Sequence, residues 1–309
     1  MASSKDNFIN RMNSYDKAIS SESVISKAFT EIEHNLIARL LRNGLSIIAF
    51  TILEDFLKTR TGEVFKSIGT SSIPFSRLPA KIQEASTISA IKSIQTRASN
   101  LKKTDEDWLG FIQEECGYVG STKSSVYELS SYSMGWDKSN LVSNDISDFL
   151  NCFKVAGGWS AIQQISNLGN ITLAVPSDTF KGAAMRRHNS AHNAAADTPI
   201  NDLTDFSNQS RIIAFCFDAL ISKSLHYILS NDLEFIEERK TTNPSDIKLR
   251  FLLNKDNRWK EFSQGSSRAF RTNKDYNIIL PDTKSRTLRN SETLLIKDAS
   301  NKIIDWFIK

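Results

Sequence analysis

The residues best suited to chemistry lie together in one short segment, residues 185–193, which reads MRRHNSAHN. Two of the chain's four histidines, His188 and His192, follow the adjacent arginines Arg186 and Arg187. On a regular helix the two histidines share one face, one turn apart, whereas Arg187 and His192 point about 140° apart. Arg187 and His192 therefore converge only if the helix is irregular or if the long guanidinium stem curls around it.

These residue types suit a phosphate site that carries an acid/base group. The planar guanidinium of arginine matches phosphate oxygens, and an imidazole gives or takes a proton near neutral pH. RNA supplies its own nucleophile, the 2′-hydroxyl. A base for that hydroxyl, a cation for the pentavalent phosphorane and an acid for the 5′-oxygen are enough to cut the strand. We therefore expect chemistry without a metal ion or another cofactor.

Two other interpretations of the same segment stay open. His188 and His192 have the HxxxH spacing of a zinc-binding pair on a helix. However, the residues between them, Asn189, Ser190 and Ala191, lack the glutamate of HExxH, and the two arginines would repel a cation. Alternatively, the cluster is structural or lies on the surface without a function.

Length and composition narrow the class of protein. The chain has 309 residues, of which 40% are hydrophobic and 24% charged, so it can form a packed core. No GxxxxGK[ST] or GxGxxG loop occurs, which argues against the two commonest nucleotide-binding folds. Three cysteines without a CxxC pair argue against a disulfide framework. The start, MASSKDNFINR, lacks an apolar core, so we expect no secretory signal there. The longest apolar run is far shorter than the ~20 residues of a membrane span. We expect a cytoplasmic protein that does not contact a membrane.

Hydrophobic periodicity indicates the helices that must position the segment. Apolar residues at spacings of three and four predict one long helix over residues 31–66 and another over 212–235. Pro176 begins the helix that carries the segment, and Pro199 ends it. Residues 201–209 are polar and predict a linker.

The pattern changes after residue 240. Residues 240–309 contain 15 Lys and Arg against 8 Asp and Glu, a net charge of +7, while the other residues carry −3. Apolar residues there alternate with a period of two, which predicts strands. We therefore expect a mainly α-helical domain over 1–240 and a small, basic, β-rich module over 241–309. The predicted strands cover residues 247–253, 276–280, 293–296 and 303–308.

Aromatic and basic residues are interleaved in this C-terminal part. A basic module on a near-neutral body favours contact with a polyanion. The rings could stack on single-stranded RNA, or they could form the core and rim of a small β module. The residues concerned are Trp259, Phe262, Phe270 and Tyr276, with Arg258, Lys260, Arg268, Arg271 and Lys274.

Residues 187–192, RHNSAH, resemble the Rx4-6H motif of the HEPN superfamily (higher eukaryotes and prokaryotes nucleotide-binding domains). In that family the residue after the arginine is commonly polar, and here it is His188. The resemblance implies an α-helical bundle with a long early helix and the motif near the start of a late helix. It covers about residues 20–235 and is greatest with the RiboL-PSP-HEPN branch of prokaryotic defence and toxin systems.

The resemblance implies a metal-independent endoribonuclease that leaves a 2′,3′-cyclic phosphate and acts as a homodimer, with two motifs facing one cleft. Arg187 would bind the scissile phosphate, and His192 would be the general acid/base. His188 would orient the phosphate or share the proton transfer. The helix over 185–196 would lie along the dimer cleft. Three further residues are candidates for RNA contacts: Arg186, Asn189 and Asn193.

We therefore expect a toxin or an antiphage effector whose partners are RNA, a second copy and a possible antitoxin or regulatory protein. The alternative is a non-catalytic HEPN-type module that binds RNA, nucleotides or a partner protein through the same cleft. Both expectations rest on the resemblance and on the Arg187–His192 segment.

Overall fold

A computed structural model of the chain describes residues 3–171 and 173–309. The chain is mainly helical and ends in a small mixed sheet, which confirms the predicted fold class at that level. The helices are α1 Ser4–Ile19, α2 Ile32–Gly69, α3 Ala80–Glu84, α4 Ala90–Lys103, α5 Trp108–Ser121, α6 Ser143–Cys152, α7 Trp159–Leu168, α8 Pro176–His192, α9 Ile200–Leu229, α10 Leu233–Ile236 and α11 Tyr276–Arg289.

The sheet has five strands in the order β3-β2-β1-β4-β5. β1 pairs parallel with β4, and the other neighbouring strands are antiparallel. Helix α11 lies between β3 and β4 in the chain and packs its buried Ile279 against residues of β1 and β4. The strands are β1 Leu249–Lys255, β2 Arg258–Ser263, β3 Arg271–Asn273, β4 Thr293–Lys297 and β5 Ile303–Phe307.

The contacts divide the chain into two compact units. The first contains Met1–Phe56, Ile162–Ala219 and Ile247–Lys309, and the second contains Leu57–Ala161 and Leu220–Asp246. Each unit joins segments that are distant in the sequence. The predicted domain division at residue 240 stays a prediction.

An aromatic cluster forms the centre of the first unit. Phe8 of α1, Phe56 of α2 and Phe215 of α9 surround Trp306 of β5, with ring centroids 5.9 to 6.2 Å from the Trp306 ring. All four rings are buried, and Trp306 Nε1 donates a hydrogen bond of 2.7 Å to Asp218 Oδ2. The last strand therefore shares one core with these three helices.

A buried charge network holds the sheet to α11. Glu261 is fully buried and accepts hydrogen bonds from Arg250 at 2.7 Å, Arg286 at 2.8 Å and Thr283 at 3.1 Å. Arg250 also pairs with Glu292. Because a buried carboxylate is stable only when its oxygens are satisfied, these partners are the reason that Glu261 is accommodated in the core.

The second unit is built around the C-terminal half of α2. Phe65 of this half packs against Phe153, with ring centroids 5.3 Å apart. The backbone N–H of Thr242 donates to Lys154, and the Thr242 carbonyl accepts from Ala156, each at 3.0 Å. The segment that follows α10 is therefore tied to the segment that follows α6.

Two local predictions are wrong. Residues 201–209 are the first turns of α9 rather than a linker, because Leu203 and Phe206 are buried at helical spacing and Ser207 is buried with them. Residues 276–280 begin α11 rather than a strand. The Asp275 side chain accepts a hydrogen bond from the N–H of Asn277 and caps this helix.

Among the described residues, two helices, α2 and α9, are long and apolar enough to cross a membrane, judged by length and composition. The most apolar window of α9 is 78% buried, and that of α2 is 44% buried. The core helix of a soluble protein has the same length and composition. The cytoplasmic location stays a prediction.

Candidate active site

Helix α8 carries the candidate residues and is fixed by one apolar row. Pro176 lies in its first turn, where a missing N–H has no cost, and Asp178 places a negative charge at the positive end of the helix. Phe180 and Ala183 are buried, and the Phe180 ring packs 5.1 Å from that of Phe50 in α2. This row determines which side of α8 faces the core.

The two histidines lie on an exposed side of α8. Lys181, Met185, His188 and His192 are all exposed and follow one another at spacings of four, three and four. The centroids of the His188 and His192 rings are 4.7 Å apart, with 49° between their planes. Two imidazoles this close can act as acid and base on one bound group.

Arg187 lies on another side of α8. It continues the buried row of Phe180 and Ala183, at spacings of three and four, and it is half-buried. Its Nε is buried and has no hydrogen-bond partner within the described part of the chain. Because α8 is helical through His192, Arg187 and His192 leave it about 140° apart. A single chain therefore directs the guanidinium and the imidazoles to different sides.

Arg186 is turned toward α9. Its Nε is 3.8 Å from Oδ2 of Asp202, and its side chain is half-buried. Burial raises the pKa of Tyr15 in α1, and the positive charge of Arg186 acts in the opposite direction. Arg186 is therefore already engaged by groups of the protein.

The predicted helix over residues 185–196 is wrong at its end, because α8 stops at His192. The N–H of Asn193 still donates to the carbonyl of Asn189 at 2.9 Å, but its backbone is extended. The Asn193 side chain then accepts from the N–H of Ala195 at 2.9 Å and forms a turn. Asn189 and Asn193 are both exposed. The motif thus occupies the last turns of α8, whereas the resemblance implies a position near a helix start.

Two buried polar side chains of α2 hold the loop that follows, residues 193–199. Arg42 donates from Nε to the carbonyl of Thr198 at 2.9 Å and from Nη2 to Asp197 at 2.6 Å. Asn43 donates to the carbonyl of Ala196 at 2.7 Å and accepts from the N–H of Thr198 at 3.2 Å. We call Arg42 and Asn43 the loop clamp. The clamp fixes the backbone immediately after His192.

Sequence reasoning missed this clamp, although a signal for it exists. Arg42 and Asn43 are adjacent polar residues inside a helix whose neighbouring positions are mostly apolar. A buried arginine needs several hydrogen-bond acceptors, so an arginine in such a helix indicates a buried hydrogen-bond network. Ser190 of α8 joins this network through a contact of 3.0 Å between its hydroxyl and that of Thr198.

The rings of the C-terminal part have different surroundings. Trp259 and Tyr276 pack on each other at 4.7 Å and against the core of the sheet. Burial, together with the negative charge of Asp305, raises the pKa of Tyr276 to about 12. Phe270 is exposed, and the guanidinium of Arg286 lies 4.4 Å from the centre of its ring. Trp259 and Tyr276 thus belong to the core and rim of the sheet.

Among residues 3–171 and 173–309, no group of three or more His, Cys, Asp or Glu side chains is placed to hold a metal ion. Comparisons with family models, with curated proteins and with solved structures find no match to this chain. The site must therefore be interpreted from its own geometry.

Proposed function

We propose that this chain is a metal-independent endoribonuclease of the HEPN type that acts as a toxin or antiphage effector. It would cut RNA by attack of the 2′-hydroxyl and leave a 2′,3′-cyclic phosphate. The observation that carries the proposal is the pair of imidazoles of His188 and His192, 4.7 Å apart on an exposed helical face and preceded by two arginines.

In this proposal His192 is the general acid/base, and His188 shares the proton or orients the phosphate. Arg187 neutralises the charge that develops on the phosphate. Because one chain directs Arg187 and the histidines to different sides, we propose a homodimer in which each scissile phosphate meets Arg187 of one copy and the histidines of the other. Asn189 and Asn193 are both exposed beside the histidines, and in this proposal they contact the RNA backbone.

Cleavage of labelled RNA by the purified protein in excess EDTA tests the proposal. We expect His192→Ala to lower the cutting rate about 100-fold or more, since a general acid/base contributes that much. Arg187→Ala should abolish cutting as well. Lys181→Ala is the matched control, because it removes a positive charge from the same exposed face outside the motif. Full activity in both motif variants would eliminate the mechanism.

Mixing two inactive variants tests whether the site takes residues from both copies. In a heterodimer of His192→Ala and Arg187→Ala chains, a site shared between copies contains one intact Arg187–His192 combination. We therefore expect the mixture to regain cutting that neither variant shows alone. If each site lies within one chain, both sites of the heterodimer stay defective and the mixture stays inactive.

A second candidate function is binding of RNA or of a partner protein without cleavage. The half-buried position of Arg187, away from the exposed histidines, favours this alternative. Expression in cells separates the two candidates, because an active ribonuclease should inhibit growth unless His192 is replaced. RNA binding that leaves the RNA intact, together with normal growth, would support the binding module.

A further inference from the structure

The N-terminal half of α2 exposes an unusually large apolar face. Six of its side chains and one in the preceding turn are between 42% and 90% exposed. All belong to the first unit of the chain. We call them the α2 face: Phe29, Ile32, Leu36, Ile37, Leu40, Leu41 and Ile48.

The size of this face points to a protein interface. Its side chains expose roughly 800 Å² in total, given the area of a fully exposed aromatic or aliphatic side chain. The largest apolar patch of a typical monomer covers about 300–600 Å². One side of a standard stable protein interface covers about 800 Å². The α2 face therefore has the area that one partner of a stable dimer needs.

The order of residues along α2 makes the face complementary to itself. When two copies of α2 pack antiparallel about a two-fold axis beside Ala38 and Arg39, apolar residues meet apolar residues. Glu33, a charged residue within the stripe, then lies opposite Gly44, where a Cβ would meet no atom within 4 Å apart from the adjoining residues and backbone of its own helix. The further opposed pairs are Ile32 with Leu45, Leu36 with Leu41, and Ile37 with Leu40.

Phe29 stands at one end of the face, on a turn whose backbone is fixed by hydrogen bonds. Its ring is 90% exposed. The turn that carries it is closed by a bond from the N–H of Glu31 to the carbonyl of Ala28. The Asn35 side chain also accepts from the N–H of Lys27 at 2.8 Å and donates to the carbonyl of Ala28 at 3.0 Å. Because the backbone of this turn is already ordered, only the side chain of Phe29 loses freedom when a partner covers it.

A groove that can receive this ring lies at the other end of the face. It lies between α1 and α2 and has a volume of about 610 Å³. Ile48 belongs to both the groove and the face, so the two surfaces are continuous. In the antiparallel arrangement, Phe29 of one copy lies over this end of the other copy. The groove is lined by Tyr15, Ala18, Leu45, Ile48 and Ile52, among others.

We propose that a second copy of this chain covers the α2 face. The two α2 helices pack antiparallel about an axis beside Ala38 and Arg39, and Phe29 of each copy inserts into the groove of the other. The proposal rests on the proposed function for the homodimer and identifies the surface through which it forms. The loop clamp lies about one helical turn beyond the level of this axis, on the buried side of α2.

The mass of the purified full-length protein, measured by sedimentation over micromolar concentrations, tests this interface. We expect twice the 34.7 kDa of one chain. Phe29→Asp and Leu40→Glu should each raise the dimer dissociation constant about 100-fold or more, because each change removes two apolar contacts per dimer. Phe270→Asp, which replaces another exposed phenylalanine outside the face, should leave the dimer intact.

Crosslinking provides a second measurement that does not depend on a disruptive variant. Leu40→Cys, in a chain whose exposed Cys116 is replaced by serine, should crosslink between copies with a short bismaleimide. Phe270→Cys in the same background should not. A monomeric wild-type chain, or a dimer that Phe29→Asp and Leu40→Glu leave unchanged, would overturn the proposal.

A wild-type chain that is monomeric and binds neutral phosphatidylcholine vesicles through the α2 face would show that lipid is the occupant, and this result also overturns the proposal. Neither mass nor crosslinking depends on RNA cleavage. A dimer of the expected kind without ribonuclease activity would therefore refute the proposed function and leave the interface standing.

Discussion

Replacing Arg42 by methionine is predicted to release the loop that follows His192. Arg42 is 5% exposed, and its guanidinium reaches this loop at two points, the carbonyl of Thr198 and the carboxylate of Asp197. Methionine retains an apolar stem of similar length and removes the donors. The substitution therefore removes both bonds to the loop with little change in packing, together with the bonds that Nη1 donates to the Val24 carbonyl and the Ser26 hydroxyl, each at 3.0 Å.

The effect on the loop follows from the surroundings of its two acceptors, the carbonyl of Thr198 and the carboxylate of Asp197. Thr198 is buried, so its carbonyl loses a charge-assisted bond without regaining water, at a cost of about 1.5–3 kcal/mol. The side chain of Asp197 is 55% exposed, so its ion pair adds less than about 1 kcal/mol. A total of about 2–3 kcal/mol corresponds to opening of the loop that is roughly 30- to 150-fold more frequent.

Hydrogen exchange of the peptide that covers residues 193–199 measures this opening. The amides of Ala196 and Thr198 are hydrogen-bonded within the clamped loop, at 3.0 and 3.2 Å, and should exchange faster in Arg42→Met. Arg39→Met is the matched control. It lies on the same helix, and its Nε has no hydrogen-bond partner in the described chain. Equal exchange in both variants, or a change below threefold in Arg42→Met, would refute the role of the clamp.

Two further predictions concern buried charges of the first unit. Burial lowers the pKa of Lys297 to about 8, from 10.5 for a free lysine. The unfolded chain therefore binds more protons between these values, and the contribution of Lys297 to stability rises with pH there. Urea unfolding at pH 7.5 and 9.5 should show wild type gaining about 1 kcal/mol relative to Lys297→Met, and parallel pH profiles would contradict this. Glu261→Gln should lower the free energy of unfolding by about 3 kcal/mol, because two arginines lose their buried partner. Asp256→Asn, in an exposed pair with Lys260, should leave the urea midpoint unchanged, and an equal effect of both changes would argue against the network.

Helices with long, regular apolar spacing could be predicted from the sequence. The helix expected over residues 31–66 is found as Ile32–Gly69, because many apolar residues at spacings of three and four leave no other periodic solution. The strands expected at 293–296 and 303–308 are found as β4 and β5. In these segments, the pattern of buried residues and the local conformational preferences of the residues favour the same secondary structure.

Shorter segments could not be predicted, because weak signals compete in them. Residues 276–280 contain two isoleucines and a tyrosine, which favour a strand, but the cap at Asp275 and the burial of Ile279 select a helix. Residues 201–209 are mostly polar, which favours a linker, but Leu203, Phe206 and Ser207 are buried on one side of a helix. Such contacts become visible only when the tertiary structure is known.

At the candidate site, the relative position of the two histidines could be predicted from the sequence, but the end of α8 and the burial of Arg187 could not. The shared face of His188 and His192 follows directly from their spacing. The end of α8 at His192 depends on the turn made by Asn193 and on the clamp from a distant helix. The burial of Arg187 depends on the neighbours of α8, which spacing along one helix does not specify.

The buried Nε of Arg187 has a consequence for how tightly an anion could be held. This N–H has already lost its water, and a buried donor without a partner is less stable by about 1–3 kcal/mol than a satisfied one. A phosphate oxygen that reaches it removes this deficit and displaces no hydration from the donor. Under the proposed function, a phosphate that reached this donor would therefore gain more binding free energy than a phosphate bound to a surface arginine.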